Sequence, residues 1–429
     1  MVSRVAGKRP FWRLKRFWIF LLLGLSMICI SSCAGVRILM QTAPNVPKKS
    51  EASPSLSGFS LKAWEAQKSD LKQLFGEHVY GKIPHTLSLK LTEQTHLEGM
   101  FFHNTASIET RKYKVYKTNL DTGREFGLVI IKPAHLQSPV PIIISQNFCP
   151  NHNVIAVDEI PIPHTNYLDC AEDSLASNVF KYFFGRYIVS PPVSKIMQRG
   201  YALAAVHPSE FIPDRSEAAQ PLLKSIFSEQ PDEYRTATLG AWAAQFSLLS
   251  DEFENDPNFS DQITYGHSRY GKTALIAAAF NSNIDAVIAH QSGTGGASLS
   301  REKPGETIKD ITEGYPHWFS QKFSSYADNE HILPVDQHQL LALIAPRPIL
   351  LGNAKRDVWS DPNGAFQALQ SASDIYRLYG SEGLTASRLD QFDPKATLSF
   401  WMRAGTHGVV KEDWPAFLDF LDANFKHSN

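Results

Sequence analysis

Gln262-Ile263-Thr264-Tyr265-Gly266-His267-Ser268-Arg269-Tyr270-Gly271-Lys272, followed by Thr273 to Phe280 (TALIAAAF), is the stretch from which the fold can be read. Four residues suited to a strand run into a glycine-flanked serine and then into a strong helix former. The pattern is strand, tight turn, helix, with Ser268 at the apex. An acyl-transfer serine needs such a turn, because its hydroxyl must stand clear of the sheet while N–H groups at the helix start face the developing oxyanion. Gly266 and Gly271 allow a strained backbone and close helix-on-strand packing. Relative to Gly-x-Ser-x-Gly the second glycine comes one residue late, so the turn alone leaves open a glycine-lined corner without chemistry.

Working outward, Thr238 to Phe253 places Leu239, Trp242, Phe246, Leu249 and Phe253 three and four residues apart, one apolar helix face leading into the QITY strand. Strand-like runs recur at Tyr113–Tyr116, Phe126–Ile131, Pro141–Ser145, Ala202–Val206, Ala286–Ala289, Pro348–Leu351 and Thr397–Trp401. The early ones suit antiparallel hairpins. The later ones alternate with helical patterns, which predicts an α/β fold with a mostly parallel central sheet and helices on both faces. A serine hydrolase of this kind orders its groups Ser, Asp or Glu, His along the chain. Asp357 follows the Pro348–Leu351 strand and His407 follows the last one, so these are the candidate acid and base. Asp361 competes for the acid, but it precedes Pro362 and reads as a turn initiator. Of fifteen histidines, only position singles out His407.

Composition removes other classes. Forty-two Lys plus Arg against 43 Asp plus Glu give a net charge of −1, which leaves no electrostatic footprint for nucleic acid. Four cysteines are too few and too scattered for a disulfide scaffold or a zinc ribbon. Whether Cys149 and Cys170 pair or stay as free thiols is open.

The amino terminus reads as an address. Arg4, Lys8, Arg9, Arg13, Lys15 and Arg16 come with no acid before the apolar run Phe17 to Ile30, the layout of a signal peptide. At about 1.5 Å per residue that run reaches roughly 21 Å, short of the roughly 30 Å of a hydrocarbon core. Ile30-Ser31-Ser32-Cys33-Ala34 resembles a bacterial lipoprotein box, which implies cleavage after residue 32 and lipidation of Cys33. Several acyl chains on one cysteine would hold a folded domain stably at a bilayer. Cleavage removes six basic groups and no acid, leaving −7. Residues 33–58 are expected to be a flexible tether and residues 59–429 a single large domain. The expected location is the bacterial cell envelope, with Ala34 resembling an outer-membrane sorting pattern, and the expected state is a monomer.

Gly266-His267-Ser268-Arg269-Tyr270-Gly271-Lys272 resembles the nucleophile motif of the glucuronoyl esterases, a carbohydrate esterase family with the α/β-hydrolase fold. Further matches follow in order from Asn147-Phe148 through Arg199-Gly200-Tyr201-Ala202, Ser292-Gly293-Thr294-Gly295-Gly296, Pro316-His317-Trp318-Phe319 and Ala345-Pro346-Arg347-Pro348 to His407 with Asp413-Trp414. The resemblance implies that Ser268 is the nucleophile, His407 the base and then acid, Asp357 the orienting acid, and Arg269 an oxyanion donor. It also implies that Lys272, Glu306 and Trp359 contact the hydroxyls and ring of a glucuronoyl group, with Gln291 a further pocket residue. The resemblance then implies a carbohydrate ester as the substrate, such as a lignin link to glucuronoxylan, and no metal or organic cofactor. Two departures stand out. Gln291 occupies the place where fungal members carry a glutamate, so the acid role falls on Asp357. After Arg199-Gly200-Tyr201 the chain reads Ala205-Val206-His207-Pro208-Ser209-Glu210-Phe211, where the resemblance leads one to expect a tyrosine or cysteine followed by Gly-Asp. The alternatives are an acetyl esterase of decorated polysaccharides and a surface-anchored carbohydrate-binding homologue without turnover.

Overall fold

The computed structural model describes residues 41–48, 54–134, 139–163, 170, 184–301 and 303–426. The signal peptide and Cys33 read from the sequence lie outside them. Residues Ala43–Asn429 form one compact unit.

Nine strands make one sheet: β1 (Leu87–Phe101), β2 (Ala106–Lys117), β3 (Leu120–Pro133), β4 (Val140–Gln146), β5 (Ala202–Val206), β6 (Phe259–His267), β7 (Ala286–His290), β8 (Ile349–Ala354) and β9 (Leu398–Arg403). Their spatial order is β1-β2-β3-β5-β4-β6-β7-β8-β9. The pairs β1/β2, β2/β3 and β3/β5 are antiparallel, and every later pair is parallel. This is the α/β-hydrolase fold, with an antiparallel meander on one side of a parallel block.

The parallel block is apolar on both faces because both are covered. Within β4, Ile142 and Ile144 join one core while Ile143 joins the other. The first core packs against α1 (Leu61–Phe75), α2 (Thr238–Phe253), α3 (Arg269–Phe280) and α4 (Pro362–Leu378). The second lies under α5 (Asp413–Phe425), which contributes Trp414, Phe417, Phe420 and Leu421. Helix α2 has the predicted bounds but buries more than one stripe, since Gly240, Ala241, Ala243, Ala244 and Gln245 are also covered. It is wedged between neighbours, so the apolar face read from the sequence is only part of its contact surface.

Strand β1 was not anticipated. Only Leu87-Ser88-Leu89-Lys90-Leu91 alternates; from Thr92 to Glu98 the side chains are mostly polar and solvent-facing and the strand pairs on one edge only, so most of its length lacks the pattern by which its neighbours are recognised. Part of the stretch read as a tether is seated on the domain. Ala43 donates its N–H to the Lys355 carbonyl at 2.7 Å, Leu389 donates to the Asn45 carbonyl at 2.9 Å, and Leu56 is buried. Cys149 and Cys170, left open by the sequence, are joined by a disulfide.

Candidate active site

The site lies at the carboxyl ends of the parallel strands, where open α/β sheets bind ligands. Ser268 sits between β6 and α3 with φ 57° and ψ −122°, a backbone conformation that L-residues rarely adopt. The flanking glycines explain why the turn closes. A Cβ on Gly266 would stand 2.0 Å from the Tyr270 carbonyl oxygen, and one on Gly271 would stand 3.0 Å from the Gly266 oxygen and 3.1 Å from Ser292 Cβ. The crowded positions are therefore two before and three after the serine. Position 270 instead carries a buried tyrosine against Phe148 and Trp242, at 4.8 and 5.4 Å between ring centroids. That is the physical reason the second glycine comes late.

His407, on the loop after β9, pairs its Nδ1 with Asp357 Oδ2 at 2.8 Å, and Asp357 sits on the loop after β8. Burial alone would push the Asp357 carboxyl up, but the imidazole of His407 and the hydrogen bonds from Ser360 outweigh it and hold the group below its ordinary value. Asp357 is thus an acceptor for the Nδ1 proton, which leaves Nε2 as the basic nitrogen. The His407 ring lies 4.6 Å from that of His267, the residue before Ser268. The Ser268 hydroxyl itself makes no hydrogen bond among the described residues in this conformation; such bonds are often formed only with substrate in place. Asp361, the competing acid, caps α4 by accepting the Gly364 N–H at 2.9 Å and lies 3.7 Å from the buried Lys303 ammonium.

The His407 loop is braced from below. The Arg403 guanidinium donates to the carbonyls of Ala404 at 2.8 Å, Thr406 at 3.0 Å and Gly408 at 2.8 Å, and is itself bound by Asp413 at 3.0 Å. Gln291 completes this brace. Its Nε2 donates to the Thr406 carbonyl at 3.2 Å and its Oε1 accepts the Gly408 N–H at 2.8 Å. With 1 % of its surface exposed and both ends of its amide engaged, Gln291 grips the residues either side of His407. Spacing along the chain cannot reveal where a buried amide spends its hydrogen bonds.

Lys272, one turn into α3, is buried and donates to the Ser292 carbonyl. Burial, countered by Glu306, brings its ammonium down to about 8. Glu306 and Trp359 are joined twice, by Trp359 Nε1 to Glu306 Oε1 at 3.2 Å and by Glu306 N–H to the Trp359 carbonyl at 3.0 Å. Trp359 is 55 % exposed, a large flat ring left open beside a carboxylate, as a polyhydroxylated ring requires. Since Trp359 follows Asp357 by two residues, one loop carries both the candidate acid and the aromatic.

Arg269 pairs with Asp214, a residue that sequence reasoning missed. Asp214 belongs to no motif and lies 55 residues upstream. The segment that departs from the expected pattern also has partners: His207 Nδ1 lies 3.0 Å from the Asn147 carbonyl oxygen, and Glu210 accepts the Gly127 N–H at 2.8 Å. Burial drives His207 down to about 4 and Glu210 up to about 7. His207 is therefore a neutral brace for the loop after β4. Among the described residues no group of three His, Cys, Asp or Glu side chains is placed to hold a metal ion.

Residues 194–380 match the family profile described as glucuronyl esterase, fungi. A carbohydrate esterase designated MZ0003, from an unknown prokaryotic organism, is 31 % identical over 376 residues, 85 % of each chain. A 4-O-methyl-glucuronoyl methylesterase of Wolfiporia cocos is 32 % identical over 155 residues, 34 % of this chain and 38 % of its own. The solved glucuronoyl esterase from Solibacter usitatus superposes with a TM-score of 0.75 at 26 % identity, covering 89 % of this chain and 99 % of that one.

Proposed function

The chain belongs to the glucuronoyl esterase family and is a carboxylic ester hydrolase acting on a carbohydrate ester, and from that premise we propose a full reaction and a set of residues for it. Esters of 4-O-methylglucuronic acid are the substrates, and the alcohol is one donated by lignin to glucuronoxylan. Ser268 attacks the glucuronoyl carbonyl as His407 Nε2 takes its proton, the alcohol leaves with that proton, and water activated by the same imidazole releases the uronate from an acyl-enzyme. Asp357 holds the His407 tautomer, and Arg269 with backbone N–H groups at the start of α3 meets the oxyanion. Lys272, Glu306 and Trp359 receive the sugar. The observation that carries this reading is the 2.8 Å pair of His407 and Asp357 beside the strained Ser268 turn.

The residues preceding the domain complete the proposal: 1–32 a signal peptide, Cys33 the lipidated residue, and the remainder a monomer tethered at the cell envelope facing the periplasm or exterior. Hydrolysis of methyl and benzyl glucuronate beside acetylated xylan, by wild type and Ser268→Ala, tests the enzymology. Turnover of glucuronate esters that vanishes in the variant supports the reading, and a preference for acetyl esters replaces it. Equal activity of both proteins removes Ser268 as the nucleophile, and no activity of either leaves only carbohydrate binding.

A further inference from the structure

Arg269 is enclosed by groups outside the Ser268, His407 and Asp357 set. Its Nη1 pairs with Asp214 Oδ2, and its guanidinium carbon lies 5.4 Å from the ring centres of Phe148 and Tyr315 and 4.7 Å from that of Trp318. Tyr315 and Trp318 stack at 3.7 Å and 5°, so the wall beneath the guanidinium is a rigid double layer. The second oxygen of Asp214, Oδ1, accepts Trp318 Nε1–H at 2.8 Å and lies 3.0 Å from His317 Nε2. Three donors from two separate segments thus converge on one carboxylate, and burial of that carboxylate is more than offset by them, which holds it down to about 2.

A free arginine side chain is rich in rotamers, and a donor serves an oxyanion only if it is already aimed when charge develops. We infer that Asp214 is a positioning residue for the ester hydrolysis: clamped by His317 and Trp318, it fixes the Arg269 guanidinium so that the remaining donors meet the oxyanion. The inference rests on the reading of Arg269 as an oxyanion donor. An asparagine at 214 has the same size but offers one acceptor atom where three donors arrive, so either Arg269 or the His317 and Trp318 pair loses its partner.

The test is a double-mutant cycle on methyl glucuronate with wild type, Arg269→Ala, Asp214→Asn and the double variant, folding being checked by thermal unfolding. Arg269→Ala is expected to lower kcat by about a hundredfold to a thousandfold, as the loss of one oxyanion donor does. Asp214→Asn is expected to lower kcat by about tenfold to a hundredfold with KM within about twofold, because misaiming by about 1 Å has that scale. In the Arg269→Ala background the same change is expected to cost less than about threefold. If Asp214→Asn does not fold, Trp318→Phe, which keeps an aromatic ring and removes one donor, is read in the same cycle and is expected to lower kcat only when Arg269 is present. Wild-type kcat in these variants, or a loss that persists undiminished without Arg269, overturns the inference. A wild-type kcat in Arg269→Ala overturns the oxyanion reading beneath it, so the two failures are told apart.

Discussion

Replacing Asp357 by asparagine tests the carboxylate that holds the His407 imidazole. The carboxylate is 5 % exposed and accepts the Nδ1 proton of His407 at 2.8 Å, and no other carboxylate reaches that nitrogen among the described residues. An amide of the same shape can turn its N–H₂ toward Nδ1, which moves the ring proton to Nε2 and leaves the imidazole unable to take the proton of Ser268. The stabilisation of the imidazolium in the transition state is lost as well. The change of tautomer costs about ten-thousandfold in kcat in a serine hydrolase, which is about 5 kcal/mol of barrier. The assay is steady-state hydrolysis of methyl glucuronate with KM and kcat separated, and KM is expected to stay within a few-fold because the sugar contacts are untouched. Asp361→Asn is the paired control. Asparagine still caps α4, so the expected loss is of stability, roughly 1 to 3 kcal/mol from the Lys303 ammonium left without its carboxylate, with kcat near wild type. Retention of more than about a tenth of kcat by Asp357→Asn would refute the reasoning, and a collapse of kcat confined to Asp361→Asn would transfer the acid role.

Other perturbations read the remaining parts of the site. Gln291→Ala leaves the Gly408 N–H without its partner and the Thr406 carbonyl with only its Arg403 donor, so urea unfolding should register a loss of about 1 to 3 kcal/mol and kcat should fall with it. Gly266→Ala meets the Tyr270 oxygen at 2.0 Å and should abolish soluble expression, whereas Gly271→Ala, with contacts of 3.0 to 3.3 Å, should fold with a lower thermal midpoint. Lys272 keeps its proton to about pH 8, so KM for glucuronate esters should rise above that pH, and Lys272→Met should flatten the rise. Between about 8 and the ordinary lysine value of 10.5 the unfolded chain binds the proton that folded Lys272 has lost, so this group makes stability increase with pH there. Asp357 acts in the opposite range: its folded value lies below its unfolded one, so its contribution is present above about pH 4 and fades as pH falls, a slope absent in Asp357→Asn. Reduction of the Cys149–Cys170 bridge, which closes a separation of 21 residues, should cost about 3 kcal/mol by calorimetry in dithiothreitol.

The features legible beforehand share one property, namely that their cause is local. The QITY strand, the glycines around Ser268 and the helix after them act on each other within about twenty residues, and the burial of the parallel strands on both faces shows directly as apolar runs. Helix α2 could be bounded to the residue for the same reason. Asp357 and His407 were legible because each directly follows a strand whose end faces the site. Strand β1 was not, since an exposed edge places few demands on its side chains.

Chain order and local pattern therefore determined the layered fold, the serine at the apex of its turn and the places of Asp357 and His407 on the loops after β8 and β9. Only the folded chain decided that Gln291 grips the His407 loop, that Asp361 caps a helix next to a buried lysine, that Cys149 meets Cys170 and that Asp214 holds Arg269. Each of these is a hydrogen bond, ion pair or covalent link whose partner is chosen by proximity in space, and a side chain's sequence neighbours carry no trace of that choice.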